Sequence, residues 1–162
     1  MKYIRINEVD AEPMKFGEFK GKYPKSGGAN LERDANDDGY VIFYRGGDYV
    51  SWCPKKEFED VSRPCDGMTF GMASEAMKRG KKVARKGWSG KGMWLCVPLC
   101  GGPKEIPATG IWGKPNAEYA EQNGGTVKVM PYVTMKTADG DIVMGWLASQ
   151  TDMLSEDWVV VE

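Results

Sequence analysis

The clearest hydrophobic pattern lies in the middle of the chain, where Phe70, Ala73 and Met77 recur at the spacing of one helical face. Thr69 stands directly before them, and its hydroxyl suits the N-cap position. Gly80 follows, and glycine readily adopts the left-handed conformation that ends a helix. The pattern therefore predicts a short amphipathic helix between Thr69 and Gly80.

After this helix the pattern becomes strand-like. Residues 81–86 predict one strand, residues 93–97 a second, and the glycine-rich segment 87–92 the turn between them. The turn carries Trp88. An aromatic ring among backbone N–H groups and cations suits a ligand with rings and phosphates, whereas the pattern alone favours a hairpin whose tryptophan covers the core.

The C-terminal part of the chain continues with further strand signals. The predicted strands are 127–137, 142–147 and 159–161, with a tight turn at 138–141. Ser149 and Asp152 have the spacing of a capping pair and predict a single helical turn. By contrast, residues 101–126 are rich in Gly, Pro, Asn and Glu and predict a long loop. Trp112 and Tyr119 within it indicate that this loop docks, either over a ligand or against a neighbouring subunit.

Residues 1–67 have the pattern of a separate module. Its predicted elements are a strand at 2–9, a helix at 12–20, a loop at 22–39, a hairpin of 40–44 and 48–52 around Gly46-Gly47, a helical turn at 54–58 and a linker at 63–67. The loop contains four small or polar residues that suit a second nucleotide site, namely Ser26, Gly27, Gly28 and Asn30. Their spacing is not that of a P-loop, and a plain surface loop is the favoured interpretation.

Together these elements predict an α+β fold. Residues 68–162 form a small antiparallel β-sheet with a short amphipathic helix, and residues 1–67 add a module that contains a β-hairpin. The composition, 41% hydrophobic and 28% charged, is that of a globular protein without a membrane span. The four cysteines include no C-x-x-C pair and the chain has no histidine, so we expect no metal site, no cofactor and no histidine-activated nucleophile.

Charge is distributed unevenly along the chain, whose formal net charge is −1. Seven of its 22 basic residues, and none of its 23 acidic residues, lie between Lys78 and Lys91. A basic segment on an otherwise acidic chain indicates that the protein binds an anionic partner locally, at this segment, and is not a general binder of polyanions. Nucleic-acid binding through this segment is the alternative, and it predicts affinity that falls steeply with salt.

A second dense patch combines polar side chains with Trp146 and Trp158. The polar members are Ser149, Gln150, Thr151 and Asp152. Such a mixed set of donors and acceptors can hold a ribose diol, commonly with a carboxylate that accepts from both hydroxyls. Helix capping accounts for Ser149 and Asp152 adequately as well.

Five motifs carry a resemblance to a known family. They are MTFG at 68–71, KKVARKGWSGKGM at 81–93, KTADG at 136–140, GWLASQTDML at 145–154 and EDW at 156–158. Together they resemble a phage-encoded family associated with the second class of Thoeris anti-defence proteins, over residues 68–162. The chain departs from the family pattern at Ser89, where Asn is usual, in the insertion 101–126 and in the N-terminal module.

The resemblance implies a function and an assembly. Members of that family bind glycocyclic ADP-ribose signals made by bacterial TIR-domain proteins and do not cleave them. This binding keeps Thoeris immunity inactive. Some members also bind cyclic dinucleotides of CBASS defence at a separate site. The resemblance further implies a homotetramer with pockets at subunit interfaces, acting in the cytoplasm of the infected bacterial host. Because the chain has no long apolar run and its remainder is acidic, we expect neither a membrane nor a nucleic acid as partner.

The resemblance also implies a set of ligand-binding residues. These are Phe70, Arg85, Trp88, Ser89, Lys91, Met135, Trp146, Ala148, Ser149, Gln150, Thr151 and Asp152. Adenine would stack on Trp88 or Phe70, and pyrophosphate would bind the turn with Arg85 or Lys91. Ribose hydroxyls would bind Ser149, Thr151 and Asp152.

An enzymatic interpretation remains open beside the binding one. It makes the protein a hydrolase of the same cyclic nucleotide signal, with Asp152 and Asp157 as acid and base. The module of residues 1–67 also has three interpretations: a second nucleotide site, an extension of the tetramer interface, or a cover for an edge strand.

Overall fold

A computed structural model describes residues 7–44 and 49–162 of the chain. The chain divides into two units, Met1–Arg63 and Pro64–Glu162. Both are built from antiparallel strands and short helices, so the α+β class is confirmed. No helix among the described residues is long and apolar enough to cross a bilayer.

The described residues of the first unit form a three-stranded antiparallel sheet with two helices. Its elements are β1 (Asp10–Pro13), α1 (Phe16–Lys22), β2 (Gly39–Phe43), β3 (Val50–Pro54) and α2 (Lys55–Val61), with strand order β1-β2-β3. The predicted hairpin of β2 and β3 is confirmed, while its turn at Gly46-Gly47 lies outside the described residues.

The core of this unit forms where α1 packs on the sheet. Phe16, Phe19, Val41 and Trp52 are all buried there. The rings of Phe16 and Trp52 meet edge to face with centroids 5.1 Å apart. Trp52 Nε1 donates to the carbonyl oxygen of Met14 at 2.8 Å, so the buried indole N–H is satisfied.

Two predictions for the N-terminal residues need correction. The predicted helix 12–20 is displaced, because Glu12 and Pro13 pair with β2 in strand β1 and α1 begins only at Phe16. Residues 7–9 form no strand, and residues 2–6 of the predicted first strand lie outside the described part of the chain. The apolar residues of α1 are buried against the sheet, and tertiary packing therefore overrides the local pattern.

The second unit is built on a five-stranded antiparallel sheet. Its elements are α3 (Phe70–Lys78), β4 (Lys82–Arg85), β5 (Trp94–Cys96), β6 (Lys104–Pro107), a 3₁₀ turn (Ala108–Gly110), α4 (Lys114–Gln122), β7 (Thr126–Val129), β8 (Thr134–Lys136), β9 (Ile142–Met144), α5 (Gln150–Leu154) and β10 (Trp158–Val161). The order of the larger sheet is β10-β4-β5-β8-β9, and β6 and β7 pair separately.

The predicted helix at the start of this unit is confirmed as α3. The Thr69 hydroxyl accepts from the Met72 N–H at 3.4 Å, and Gly80 follows with φ of 83°. The inner face of α3 buries Ala73 and Met77 against the sheet, in a core that also holds Met68, Val83, Leu95 and Trp158. The hairpin of β4 and β5 is confirmed as well.

The predicted loop 101–126 is wrong. It contains β6, the 3₁₀ turn and α4, and its end pairs with β6 as strand β7. Short polar strands carry little hydrophobic signal, so the pairing of residues 104–107 with residues 126–129 is invisible to a pattern read along the chain. Trp112 and Tyr119 are both exposed on this insertion.

The predicted strand 127–137 is interrupted. Its first part belongs to β7 and its last part to β8, in two different sheets. Pro131 lies between them and has no N–H to donate to a strand ladder, which accounts for the break. The following strand is confirmed but is shorter than predicted, since β9 ends at Met144.

Candidate functional site

Four aromatic side chains meet where α3, the β4–β5 turn and the C-terminal segment come together. Trp158 is fully buried at their centre, and Phe70, Trp88 and Trp146 pack around it half-buried. Centroid separations are 5.5 Å for Phe70–Trp158, 5.5 Å for Trp88–Trp158, 6.4 Å for Trp88–Trp146 and 6.4 Å for Trp146–Trp158. The tilted and edge-to-face geometries are those that aromatic rings prefer.

Asp152 connects this cluster to helix α5. Its Oδ1 atom accepts from Arg85 Nη1 at 2.9 Å and from Trp88 Nε1 at 3.2 Å. Its Oδ2 atom accepts from Ser149 Oγ at 2.6 Å and from the Ser149 N–H at 3.1 Å. The Ser149 hydroxyl accepts in turn from the Asp152 N–H, so the predicted capping pair is confirmed as a complete capping box.

Asp157 makes a second set of contacts with the same hairpin. Its Oδ1 atom accepts from Arg85 Nε at 2.8 Å, and its Oδ2 atom accepts from the Gly87 N–H at 2.7 Å. The register of the sheet explains this arrangement, because Trp158 on β10 lies opposite Arg85 on β4. The Arg85 guanidinium is thus held between two carboxylates that enter from the C-terminal segment.

These contacts set the charge of the site. Burial of the Asp152 carboxyl would raise its pKa, but hydrogen bonds from Ser149, Arg85 and Trp88 outweigh burial and lower the pKa to about 2. Hydrogen bonding to Arg85 lowers the pKa of Asp157, and bonding to Asp157 and then Asp152 raises the pKa of Arg85. All three groups are therefore charged near neutral pH.

The turn at residues 87–92 packs closely onto the segment after β8. A side chain at Gly90 would collide with Met93 and come within 2.9 Å of Ala138 Cβ, so this position requires glycine. Lys136 Nζ donates to the Gly92 carbonyl oxygen at 3.1 Å. The turn is held by side chains at both ends and leaves Ser89 and Lys91 exposed.

The structure gathers most of the expected ligand-binding residues around the aromatic cluster. Phe70, Trp88, Met135 and Trp146 pack against its core. Arg85, Ser149 and Asp152 form the polar network beside it. Gln150 and Thr151 are exposed in the first turn of α5, next to the half-buried Ala148.

Several members of the basic segment 78–91 are paired within the protein. Arg85 lies between two aspartates. Exposed ion pairs join Lys78 to Glu75 and Lys86 to Asp66, and Lys82 Nζ donates to the backbone carbonyl of Glu162. Arg85 and Lys86 are therefore paired with acidic residues that lie 20 or more positions away in the chain, whereas Lys78 is paired with a residue of its own helix.

Sequence reasoning missed two structural members of the site. Trp158 was noted only as a neighbour of the polar patch, yet it is the buried centre of the aromatic cluster. Asp157 was considered only as a catalytic group, whereas here it binds Arg85 and the Gly87 N–H. A strand prediction extended back to Trp158 and paired with residues 82–85 would have brought both residues to the hairpin.

The loop considered as a second nucleotide site is folded onto strand β3. The Gly27 N–H donates to the Val50 carbonyl at 3.1 Å, and the Gly27 carbonyl accepts from the Trp52 N–H at 3.4 Å. The N–H groups of Ser26 and Ala29 donate to backbone carbonyls of the same loop region. These donors are committed to the fold rather than directed at a phosphate. The remaining members of the expected site, Gly28 and Asn30, belong to the same turn.

Within residues 7–44 and 49–162, no group of three or more Cys, Asp or Glu side chains is arranged to hold a metal ion. The indole N–H groups of Trp88 and Trp158 instead donate to the carboxylate and to the backbone carbonyl of Asp152, respectively, and no buried side-chain nitrogen or oxygen in this part of the chain is left without a partner. The network is therefore a satisfied and rigid one.

Comparison with known proteins identifies relatives of the second unit. Residues 68–161 match the model of a family described as the Thoeris anti-defense 2-like domain. A protein named Thoeris anti-defense 2, from Bacillus phage SP01, is 37% identical over 95 residues. That alignment covers 58% of this chain and 94% of the phage protein.

Proposed function

The chain belongs to the family of Thoeris anti-defense 2-like domains, and on that premise we propose that it binds glycocyclic ADP-ribose and sequesters it intact. The family supports a role in phage anti-defence. Sequestration of the signal would block Thoeris immunity in the cytoplasm of the infected bacterial host. Residues 68–162 form the signal-binding domain in this proposal, and residues 1–67 form an accessory module.

The observation that carries the proposal is the placement of Trp88. Its indole is half-buried beside Trp146 and is oriented by a hydrogen bond to Asp152. One end of the aromatic cluster is thus rigid. An exposed polar rim, formed by Ser89, Lys91, Gln150 and Thr151, lies next to it. A base that stacks on such a ring gains about 1–3 kcal/mol, and a ring that is already oriented loses little side-chain entropy on binding.

The rim offers side chains that can bind the pyrophosphate and the ribose hydroxyls of the ligand. Lys91 is exposed on the glycine-rich turn and offers a cation for pyrophosphate. Ser89, Gln150 and Thr151 are exposed and offer hydrogen bonds to ribose hydroxyls. Arg85 and Asp152 are less available for direct contact with the ligand, because both side chains are hydrogen-bonded to protein groups.

Self-association into a homotetramer is part of the proposal. Strand β9 is an edge of the five-stranded sheet, and all three of its side chains are exposed and apolar. Leu147 and Leu154 nearby in the chain are 88% and 77% exposed. An unpaired apolar edge is a natural surface for pairing with another copy, and a pocket at such an interface would be closed by the neighbouring subunit.

The hydrolase alternative finds little support in the charge of the network. A general acid needs a pKa near the working pH, but the pKa of Asp152 is lowered to about 2 and that of Asp157 is lowered too. Nucleic-acid binding is weakened as an alternative by the internal pairing of Arg85, Lys78 and Lys86. Cyclic dinucleotides remain a proposed second class of ligand at a separate site.

Calorimetric titration of the purified protein with glycocyclic ADP-ribose tests the proposal, followed by chromatography of the ligand released by heat. We expect tight binding and recovery of unchanged ligand. Trp88→Ala should weaken binding by about tenfold to a hundredfold, since it removes one stacking contact. Val61→Ala is the control, because that side chain is 74% exposed on α2 of the first unit and its loss should leave affinity unchanged.

Three other outcomes would overturn the proposal in different ways. Release of an altered product would establish the hydrolase. Absence of binding to glycocyclic ADP-ribose would leave cyclic dinucleotides as the ligands to titrate. Binding of unrelated DNA sequences with a steep salt dependence would favour the nucleic-acid alternative.

A further inference from the structure

The three charged residues Arg85, Asp152 and Asp157 form a closed set of contacts, which we call the clamp. Asp152 lies on α5, Asp157 lies just before β10, and Arg85 ends β4. The clamp therefore ties the C-terminal segment to the start of the turn that carries Trp88. Its side chains are mostly buried, with exposures of 13% for Arg85, 12% for Asp152 and 30% for Asp157.

The hydrogen-bonding capacity of the clamp is used internally. An ionised carboxylate has about four acceptor positions. Asp152 accepts from Arg85 Nη1, Trp88 Nε1, the Ser149 hydroxyl and the Ser149 N–H. Asp157 accepts from Arg85 Nε and the Gly87 N–H, with Arg85 Nη2 at 3.4 Å.

Two of these bonds end on the turn itself. The Trp88 Nε1–Asp152 bond fixes the direction of the indole, and the Gly87 N–H–Asp157 bond fixes the backbone at the point where the turn begins. Charge-assisted hydrogen bonds of this kind are about twice as strong as neutral ones. The shape of the turn therefore depends on side chains more than 60 residues away in the sequence.

We propose that Arg85, Asp152 and Asp157 are positioning residues, which hold Trp88 and the turn 87–92 in the binding conformation and do not contact the ligand. The identity of the ligand in this inference, glycocyclic ADP-ribose, rests on the proposed function. The family resemblance implies that Arg85 and Asp152 bind the ligand directly. In this proposal they instead position Trp88 and the turn. The benefit is pre-organisation, since a turn that is already ordered has less entropy to lose on binding.

A double-mutant cycle on affinity separates positioning from direct contact. Trp88→Phe keeps an aromatic ring but removes the N–H that Asp152 accepts, and Asp152→Asn keeps the shape but removes the charge. If Asp152 acts through Trp88, each single variant weakens binding of glycocyclic ADP-ribose about tenfold, and the double variant is also about tenfold weaker. Independent contacts with the ligand would instead add, to about a hundredfold loss.

A measurement on the ligand-free protein tests the clamp separately from the proposed function. The Gly87 amide should exchange with solvent at least about tenfold faster in Asp157→Asn, because its acceptor loses charge, while exchange of the buried Val83 amide should stay unchanged. Asp66→Asn is the matched control: it removes an exposed ion pair with Lys86 on the same hairpin and should leave exchange at Gly87 unaltered.

The two measurements give distinguishable failures. If the wild-type protein does not bind glycocyclic ADP-ribose but Asp157→Asn accelerates exchange at Gly87, the proposed function fails and the clamp stands. If exchange at Gly87 is the same in Asp157→Asn, Asp66→Asn and the wild type, the clamp is overturned. Additive losses in the affinity cycle would overturn positioning and return Asp152 to the set of direct ligand contacts.

Discussion

Asp152 shows how one side chain takes its role from its surroundings. It is buried and carries a charge, a combination that proteins tolerate only when the carboxylate is fully paired. Here the arginine, the indole N–H and the capping serine supply the pairing. The same carboxylate is thus both a helix cap and the residue that orients Trp88.

We expect the stability of the protein to depend on pH through Asp152. Its pKa is lowered from 3.8 in the unfolded chain to about 2 in the folded one. The ionised carboxylate therefore contributes about 2 kcal/mol of stability above pH 3.8, and this contribution is lost as the pH falls through about 2. The lowered pKa of Asp157 acts in the same direction.

Urea denaturation of the wild type and of Asp152→Asn at a series of pH values checks this dependence. The difference in free energy of unfolding should be constant from pH 7 to about pH 5 and should shrink toward pH 2. Asp66→Asn should cost little at any of these pH values, because its ion pair is exposed. A difference that is unchanged down to pH 2 would contradict the assignment.

At the scale of elements, the confirmed predictions share one property: they depend on residues a few positions apart. The cap at Thr69, the stop at Gly80 and the capping box of Ser149 and Asp152 are local signals. Among the wrong predictions, the loop at 101–126 concerns a strand pair whose members are about 20 residues apart, and the displaced helix at 12–20 shows that packing can override a local signal. Local chemistry can be read along the chain, but pairing between distant short strands cannot.

Two glycines of the first unit, Gly39 and Gly21, provide a test of element packing. Gly39 begins β2 against the ring of Trp52, and an added Cβ would collide with that ring. Gly21 lies in α1 and has nothing within 4 Å of an added Cβ. We expect Gly39→Ala to destabilise the unit by about 1–3 kcal/mol or more through overpacking, and Gly21→Ala to stabilise it by about 0.5–1 kcal/mol.

Hydrogen exchange followed by mass spectrometry, on peptides from residues 10–54, measures both effects. Gly39→Ala should reduce protection across β2 and β3, whereas Gly21→Ala should maintain or increase it. Equal protection in the two variants would show that Trp52 moves aside without cost, against the packing described above.

At the scale of the whole molecule, the apolar surface of the second unit is its main unexplained feature. Six large apolar side chains on β9, on α5 and between them are 45–88% exposed, namely Ile142, Val143, Met144, Leu147, Met153 and Leu154. Single exposed apolar residues are ordinary, but a group of them beside an open sheet edge is not. The proposed homotetramer would cover this surface.

We expect Val143→Lys to lower the order of assembly, because a charge in the middle of the edge strand opposes pairing with another copy. Sedimentation equilibrium of the full chain measures the mass. Val61→Lys is the matched control, since Val61 is 74% exposed on α2 of the first unit. A Val143→Lys variant with the mass of the wild type would exclude β9 from the interface.

The sequence by itself determined the capped helices α3 and α5, the hairpins β2–β3, β4–β5 and β8–β9 and, through its motifs, the family to which residues 68–161 belong. Helix caps, turn glycines and short amphipathic segments act over one or two turns of chain, so their chemistry is legible in one dimension. The gathering of Phe70, Trp88 and Trp146 near one another was likewise expected from those motifs.

Only the tertiary structure decided what these residues do to one another. Arg85 and Asp157 are 72 positions apart, and their contact exists because β10 returns to pair with β4. The sequence shows a run of positive charge there, but the fold pairs Arg85 with two carboxylates from the C-terminal segment and Lys86 with Asp66, which precedes the run. Whether a charged residue is available to a ligand depends on such distant partners, and sheet register supplies them.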